Sequence, residues 1–225
     1  MNLFINISLH IATLIAVLFF LKKDLAFLAK NFFKEPKVKK IILNILLASI
    51  PAAFVGLFFR KILEDFFSKP FLVFIFLIFN GLVLIFSKKI KIESQKIENL
   101  KPLNAFFIGL AQAFAILPGL SRSGMTIVAG LKQGLSSFEA AKFSFYMSIP
   151  IVAGAGFIPL MKIKSTAINY DFLLPLFASM IITTIIGFMS LKLLFRIIRE
   201  TRLNYFGYYT LFLGLAGLLF YILYP

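Results

Sequence analysis

The feature that most limits what this chain can fold into is a series of apolar runs, each close to the length of a bilayer crossing. They cover Leu3–Leu21, Ile41–Phe59, Phe71–Ser87, Phe138–Met161, Phe172–Leu194 and Gly207–Tyr224, with a longer, broken run over Leu103–Leu135. As a helix, about 20 apolar residues span the hydrocarbon core of a membrane. In lipid the backbone N–H and C=O groups must be satisfied within the segment, so such runs fold as helices. The sequence predicts an all-α polytopic membrane protein, a single domain over residues 1–225 with about six transmembrane helices. Composition agrees, since 60% of the residues are hydrophobic, against roughly half in a soluble domain. Leu3–Leu21 has no basic stretch before it and runs into Lys22-Lys23 without a small-residue cleavage site. It reads as a retained span rather than a signal peptide.

The net charge of +15 lies in short clusters between the spans, which points to membrane topology and not to nucleic acid. Lys22–Lys40 holds seven lysines, Lys88–Lys101 five, and Lys192–Arg202 one lysine and three arginines. Arg60–Lys69 has three basic residues set against Glu64 and Asp65, and Lys162–Asp171 has only two. Basic loops stay in the cytoplasm, so the first three loops are expected inside, the other two outside, and both termini outside. Lys101 is then inside and the loop at Lys162 outside, with Phe138–Met161 supplying the one crossing between them. Leu103–Leu135 must enter and return as a re-entrant helix–loop–helix.

The tip of that hairpin is Pro118-Gly119-Leu120-Ser121-Arg122-Ser123-Gly124, and Arg122 is the only charged residue from Pro102 to Leu131. Pro-Gly stops the first half-helix. Ser123 is the expected N-cap of the second, leaving the amides of Gly124, Met125 and Thr126 free. A helix N-terminus attracts anions, and a guanidinium grips phosphate oxygens with two parallel hydrogen bonds. Ser121, Ser123 and Thr126 add hydroxyls. An arginine at mid-membrane costs on the order of 3 kcal/mol. An oxyanion ligand is the expected compensation; an acidic partner or backbone carbonyls are the structural alternative.

The segment "GLAQAFAILPGLSRSGMTIVAGLKQGLSSFEAAKFSFYMSIPIVAGA" resembles the second signature region of the bacitracin-resistance BacA/UppP family of bacterial undecaprenyl-diphosphatases. "ISLHIATLIAVLFFLKKDL", "ASIPAAFVGLFF" and "FLIFNGLVLIF" resemble further helices of that family in the same order. The resemblance implies a bacterial inner-membrane hydrolase that converts undecaprenyl diphosphate to undecaprenyl phosphate for cell-wall synthesis. It implies catalytic roles for Arg122 and Ser121. Pro118, Gly119, Ser123, Gly124, Thr126 and Gln112 would bind substrate, and an apolar cleft would hold the prenyl tail. A divalent cation (Mg or Ca) is implied, with no ligands identifiable in this sequence. Expected partners are undecaprenyl diphosphate and membrane lipid, with a homodimer as a further candidate.

The family also carries a first signature region, Glu-Gly-x-Thr-Glu followed by Pro-x-Ser-Ser-Thr-Gly-His, ahead of the Leu-His helix. Neither string occurs here. The expectation is a first hairpin lying upstream of Met1. The alternatives are a shortened homologue, inactive or completed by a partner, and recruitment of other residues. A protein that binds or transports a prenyl phosphate without cleaving it is the rival reading. Four other features carry expectations. His10, with Thr13 on the same helix face, is expected to be an internal hydrogen-bond partner. Glu139 should cap its helix with Ser136 or Ser137. Asn80 and Gln112 should bond between helices. "SIP" recurs at Ser49–Pro51 and Ser148–Pro150, a faint echo of an inverted repeat.

Overall fold

The computed structural model describes residues 2–91, 93–160, 173–199 and 203–223; the predicted outside loop at Lys162–Asp171 lies outside these. Among the described residues the chain is helical, with no strand. The helices are α1 (Asn2–Phe20), α2 (Lys22–Asn31), α3 (Pro36–Phe58), α4 (Arg60–Phe67), α5 (Pro70–Phe86), α6 (Pro102–Phe114), α7 (Arg122–Lys132), α8 (Ser137–Leu160), α9 (Leu173–Arg199) and α10 (Asn204–Leu223). Proline opens α3, α5 and α6. There its missing N–H costs nothing and its fixed φ already suits a helix.

Six helices match the predicted spans: α1, α3, α5, α8, α9 and α10. Four segments are both long and apolar enough to cross a membrane: Pro36–Phe58, Pro70–Lys89, Leu174–Arg199 and Asn204–Leu223. At 1.5 Å per residue, the 19 residues of α1 and the 24 of α8 reach about 28 and 36 Å. α8 is the central post, packed on α1, α3, α7 and α9. Phe143 through Ser148 are all buried, so this stretch has no solvent or lipid face. α5 pairs with α10, α3 with α6, and α1 with α9. The α5–α10 contact is a glycine seam. A Cβ on Gly81 would lie 2.7 Å from the Leu211 nitrogen, and one on Gly207 2.8 Å from the Gly81 carbonyl oxygen. Helices in lipid gain from such close approach, because apolar burial alone does not hold them together. Their outer faces carry Phe177, Ile181, Phe212 and Leu219, all well exposed, as a lipid-facing surface requires.

The broken run is a hairpin closed at its base. α6 has 13 residues and α7 has 11, about 20 and 16 Å, each too short for a membrane about 30 Å thick. The chain entering α6 meets the chain leaving α7. Gln95 bridges Leu135, the Ser136 N–H donates to the Gln95 carbonyl at 3.1 Å, and the Ile97 N–H donates to Glu139 Oε2 at 3.1 Å. Asn44 Nδ2 donates to the Leu100 carbonyl at 3.0 Å and ties this base to α3. Entry and exit therefore lie at one level, as a re-entrant segment demands. Lys37 pairs with Glu98 and Asp24 with Lys142. The loops around Lys22–Lys40 and Lys88–Lys101 thus gather at the same end of the bundle.

Of the two serines expected as the cap of α8, Ser136 serves, its Oγ accepting from the Glu139 N–H at 3.3 Å. The Glu139 carboxylate does not fold back to complete a capping box; it reaches across to Ile97, because the Ser136 N–H is already taken by Gln95. The two "SIP" serines bond back within their own helices, Ser49 to Ile45 and Ser148 to Phe145. His10 is exposed, and its carbonyl accepts from Thr13 at 2.8 Å.

Candidate functional site

The site is built from the break between α6 and α7. α6 tightens as it ends, the Ile116 and Leu117 amides donating three residues back to Ala113 and Phe114. Leu117-Pro118-Gly119-Leu120 then turns the chain, closed by the Leu120 N–H on the Leu117 carbonyl at 3.3 Å. Gly119 has φ +91°. Proline second and a positive-φ glycine third is the type II turn pattern. A Cβ on Gly119 would also strike the Val73 carbonyl oxygen of α5. The tip of the hairpin is therefore seated on α5, with Pro118 buried beside it.

The start of α7 lies two residues earlier than the sequence predicts. Ser121 is extended (φ −83°, ψ 109°) and is the N-cap. Its Oγ accepts from the Gly124 N–H at 3.2 Å, and its carbonyl accepts from Met125 at 2.9 Å. Arg122 and Ser123 are thus the first two helical residues. Their amides, rather than those of Gly124, Met125 and Thr126, are the ones a helix start leaves without an intrahelical acceptor. What fixes this register is Asn80 on α5. It is fully buried, its Oδ1 accepts from the Ser121 N–H at 3.0 Å, and its Nδ2 reaches Thr210 Oγ1 of α10 at 3.4 Å. One amide side chain thereby joins the hairpin to the α5–α10 pair.

Arg122, Ser121, Ser123 and Gly124 line a cavity of about 580 Å³ between the hairpin and α1, α9 and α10. Its other walls are mostly apolar, with Leu84, Phe145, Leu191, Leu194 and Phe206 among them. Thr13, Ser190, Tyr209 and Thr210 add polar atoms. Arg122 Nη1 is buried and has no hydrogen-bond partner among the described residues. None of the ion pairs formed by the described residues includes Arg122, and no carboxylate lines the cavity. Arg122 thus brings an unmatched positive charge to the wall of this cavity, beside a helix start that leaves two amides without intrahelical acceptors. Such a set can hold an anion with several oxygens. The Ser121 hydroxyl accepts as the cap, and a serine has its O–H to donate besides.

The remaining predicted residues sit elsewhere. Thr126 is buried and points away from the cavity. Its hydroxyl bonds the Arg122 carbonyl at 2.8 Å and Ser144 Oγ of α8 at 2.6 Å. It locks α7 to α8, leaving no free hydroxyl for a ligand. Pro118 and Gly119 shape the turn and do not line the cavity. Gln112 is buried, and neither amide atom has a partner among the described residues. The interhelical bond expected of Asn80 is present; that expected of Gln112 is not. Thr210, Tyr209 and Ser190 escaped the sequence reading, because no motif marks a single polar residue in an apolar helix. Among the described residues no three His, Asp or Glu side chains cluster as a metal site would require.

Comparison with known proteins bears on the same residues. The family model described as bacitracin resistance protein BacA matches residues 1–216. An undecaprenyl-diphosphatase of Methanococcus vannielii is 36% identical over 215 residues, covering 95% of this chain and 83% of the relative. Proteins of the same name from Caldicellulosiruptor bescii and Geotalea daltonii are 35% and 34% identical, covering 99% and 96% of this chain and 84% and 83% of theirs. With a match that takes in the hairpin, its α5 support and the helices around the cavity, the chain belongs to the BacA family of bacitracin-resistance proteins.

Proposed function

We propose that this chain is an undecaprenyl-diphosphatase, removing the terminal phosphate of undecaprenyl diphosphate to give undecaprenyl phosphate and inorganic phosphate. The observation that carries the reading is the unpaired Arg122 guanidinium at the start of α7, in the wall of a mostly apolar cavity. A prenyl diphosphate has the matching shape, a multiply charged head on an apolar tail. Arg122 and the amides of Arg122 and Ser123 hold the diphosphate, and the Ser121 hydroxyl donates to one of its oxygens. Leu84, Leu191, Leu194 and Phe206 take the first part of the tail, which gains by apolar burial. Fixed donors at a dry site stabilise the charge that shifts between the oxygens as the P–O bond breaks.

Hydrolysis also needs a group to orient water and one to protonate the leaving phosphate. No carboxylate or histidine lines the cavity, so these come from a segment beyond the described residues or from a second copy in a homodimer. That same lining favours one rival, a protein that binds or carries the prenyl phosphate without cleaving it. The chain sits in the bacterial inner membrane with its basic loops inside and both termini outside. The experiment is phosphate release from undecaprenyl diphosphate by the purified full chain, beside substrate retention by filter binding. Release that falls more than a hundredfold in Arg122→Lys, with the thermal transition unchanged, supports the enzyme. Retention without release establishes the carrier. An Arg122→Lys variant with wild-type release overturns the assigned role, since a point charge cannot reproduce the two-pronged grip.

A further inference from the structure

A second cavity, of about 380 Å³, opens where α1 passes into α2 and both meet α8 and the last turns of α9. Its lining holds four cations, Lys142, Lys192, Arg196 and Arg199, against one carboxylate, Asp24. Asp24 is already engaged, 2.6 Å from Lys142 Nζ. Lys142 is largely buried and the three α9 cations are exposed. The Arg199 guanidinium lies over the Phe138 ring at 4.9 Å, and Lys142 Nζ at 5.6 Å from the same ring. Two cations gathered on one ring, with two more alongside, leave a surplus of three positive charges around a small space. Apart from Asp24 no acid lines the cavity, so an anion entering it would meet cations that are not already shared.

The floor beneath them is aromatic. Phe195 is buried and touches Phe20 at 4.9 Å, Phe138 at 5.6 Å and Phe145 at 5.7 Å between ring centroids. Phe145 lines the Arg122 cavity on its other side. This wall separates the two cavities, so the basic one is not part of the diphosphate site. Cations above phenyl rings at the end of a membrane bundle suit a ligand with a charged head and an apolar body.

We propose that the cavity lined by Lys142, Lys192, Arg196 and Arg199 is a second phosphate site, one that holds the headgroup phosphate of an anionic membrane lipid at the basic end of the bundle. Inorganic phosphate offers the same oxygens, and the test separates the two. The full chain is purified and its thermal transition followed with dioleoyl-phosphatidylglycerol, with dioleoyl-phosphatidylcholine, and with inorganic phosphate. Retained lipid is counted by native mass spectrometry. The variants are Arg196→Gln/Arg199→Gln, whose side chains are exposed, and Lys88→Gln/Lys89→Gln as an equal charge loss at another basic loop.

The expected result is stabilisation by phosphatidylglycerol but not phosphatidylcholine, with retention falling at least fivefold in the α9 double variant and by less than twofold in the Lys88/Lys89 variant. Arg122→Ala should leave this retention unchanged, so a failure of the diphosphatase reading does not touch it. Stabilisation by inorganic phosphate alone, lost in the α9 variant, would assign the site to the free ion and overturn the lipid. Equal losses in the two double variants would show diffuse charge and overturn the site. So would wild-type binding no stronger than that of the α9 variant.

Discussion

Asn80 offers the sharpest test of how the hairpin is held. Replacing it with alanine removes the acceptor of the Ser121 N–H, a 3.0 Å bond to a fully buried side chain. An amide stranded in a protein interior costs about 1–3 kcal/mol. The 3.4 Å contact to Thr210 is long, and Thr210 keeps its bonds to Phe206 and Gly207; its loss should add little. The thermal transition of Asn80→Ala in detergent should therefore drop by an amount matching about 2 kcal/mol. If the stranded amide drags Ser121 from its capping position, the Arg122 and Ser123 amides tilt away from the diphosphate. Each 1.4 kcal/mol of lost transition-state contact is tenfold, so kcat/KM for phosphate release should fall about tenfold or more. Asn80→Asp separates the two effects. It keeps an oxygen for Ser121 but sets a carboxylate one residue from Arg122, so stability should largely recover while activity stays low. Wild-type activity and melting in Asn80→Ala would refute the reasoning, because the register of α7 would then not depend on α5.

Three further substitutions test separate joints. Thr126→Val removes the 2.6 Å bond to Ser144; it should cost about 1–3 kcal/mol of stability with KM unchanged, and a raised KM at unaltered melting would return Thr126 to the substrate. Gly119→Ala must place a side chain at φ +91° against the Val73 carbonyl; a left-handed residue costs about 1–2 kcal/mol before the clash, so circular dichroism should show a markedly lower transition. Glu139→Ala frees the base of the hairpin by removing the acceptor of the Ile97 N–H, for about 1.5–3 kcal/mol. Glu139→Gln, which still offers an oxygen, should recover most of that, and faster amide exchange at Ile97 in the alanine variant alone would locate the effect.

Much of the bundle could be read from the chain because membrane helices are coded by composition over long windows. The helical hairpin was also legible, through an indirect route: loop charges suggested which ends share a side, and that left one apolar run more than the crossings needed. The place of Arg122 followed from its isolation in an apolar run. The cap did not follow, because two serines flank Arg122 and local preference cannot choose between them. The choice is made by Asn80, forty-one residues earlier in sequence. Thr126 misled for a related reason. A hydroxyl four residues after Arg122 sits on α7, but whether it faces the ligand or the neighbouring helix depends on Ser144 of α8.

These two misreadings share a physical cause that also explains the architecture. In lipid a polar side chain has no water to fall back on, so most are claimed by whichever partner tertiary packing brings nearest. Asn80, Thr126 and Ser144 are claimed in this way, and their bonds fix the hairpin between α5 and α8. Among the described residues Arg122 and Gln112 keep buried polar atoms that packing leaves unclaimed, and of the two only Arg122 lines the cavity. The surrounding polar groups are spent on one another so that its guanidinium and the first amides of α7 keep their donors for something that enters from outside. Were Ser121 free and Arg122 paired to a carboxylate, the same hairpin would be only a strut. Under the proposed function, the order of claims, rather than the presence of an arginine among serines, is what leaves this break able to hold a ligand.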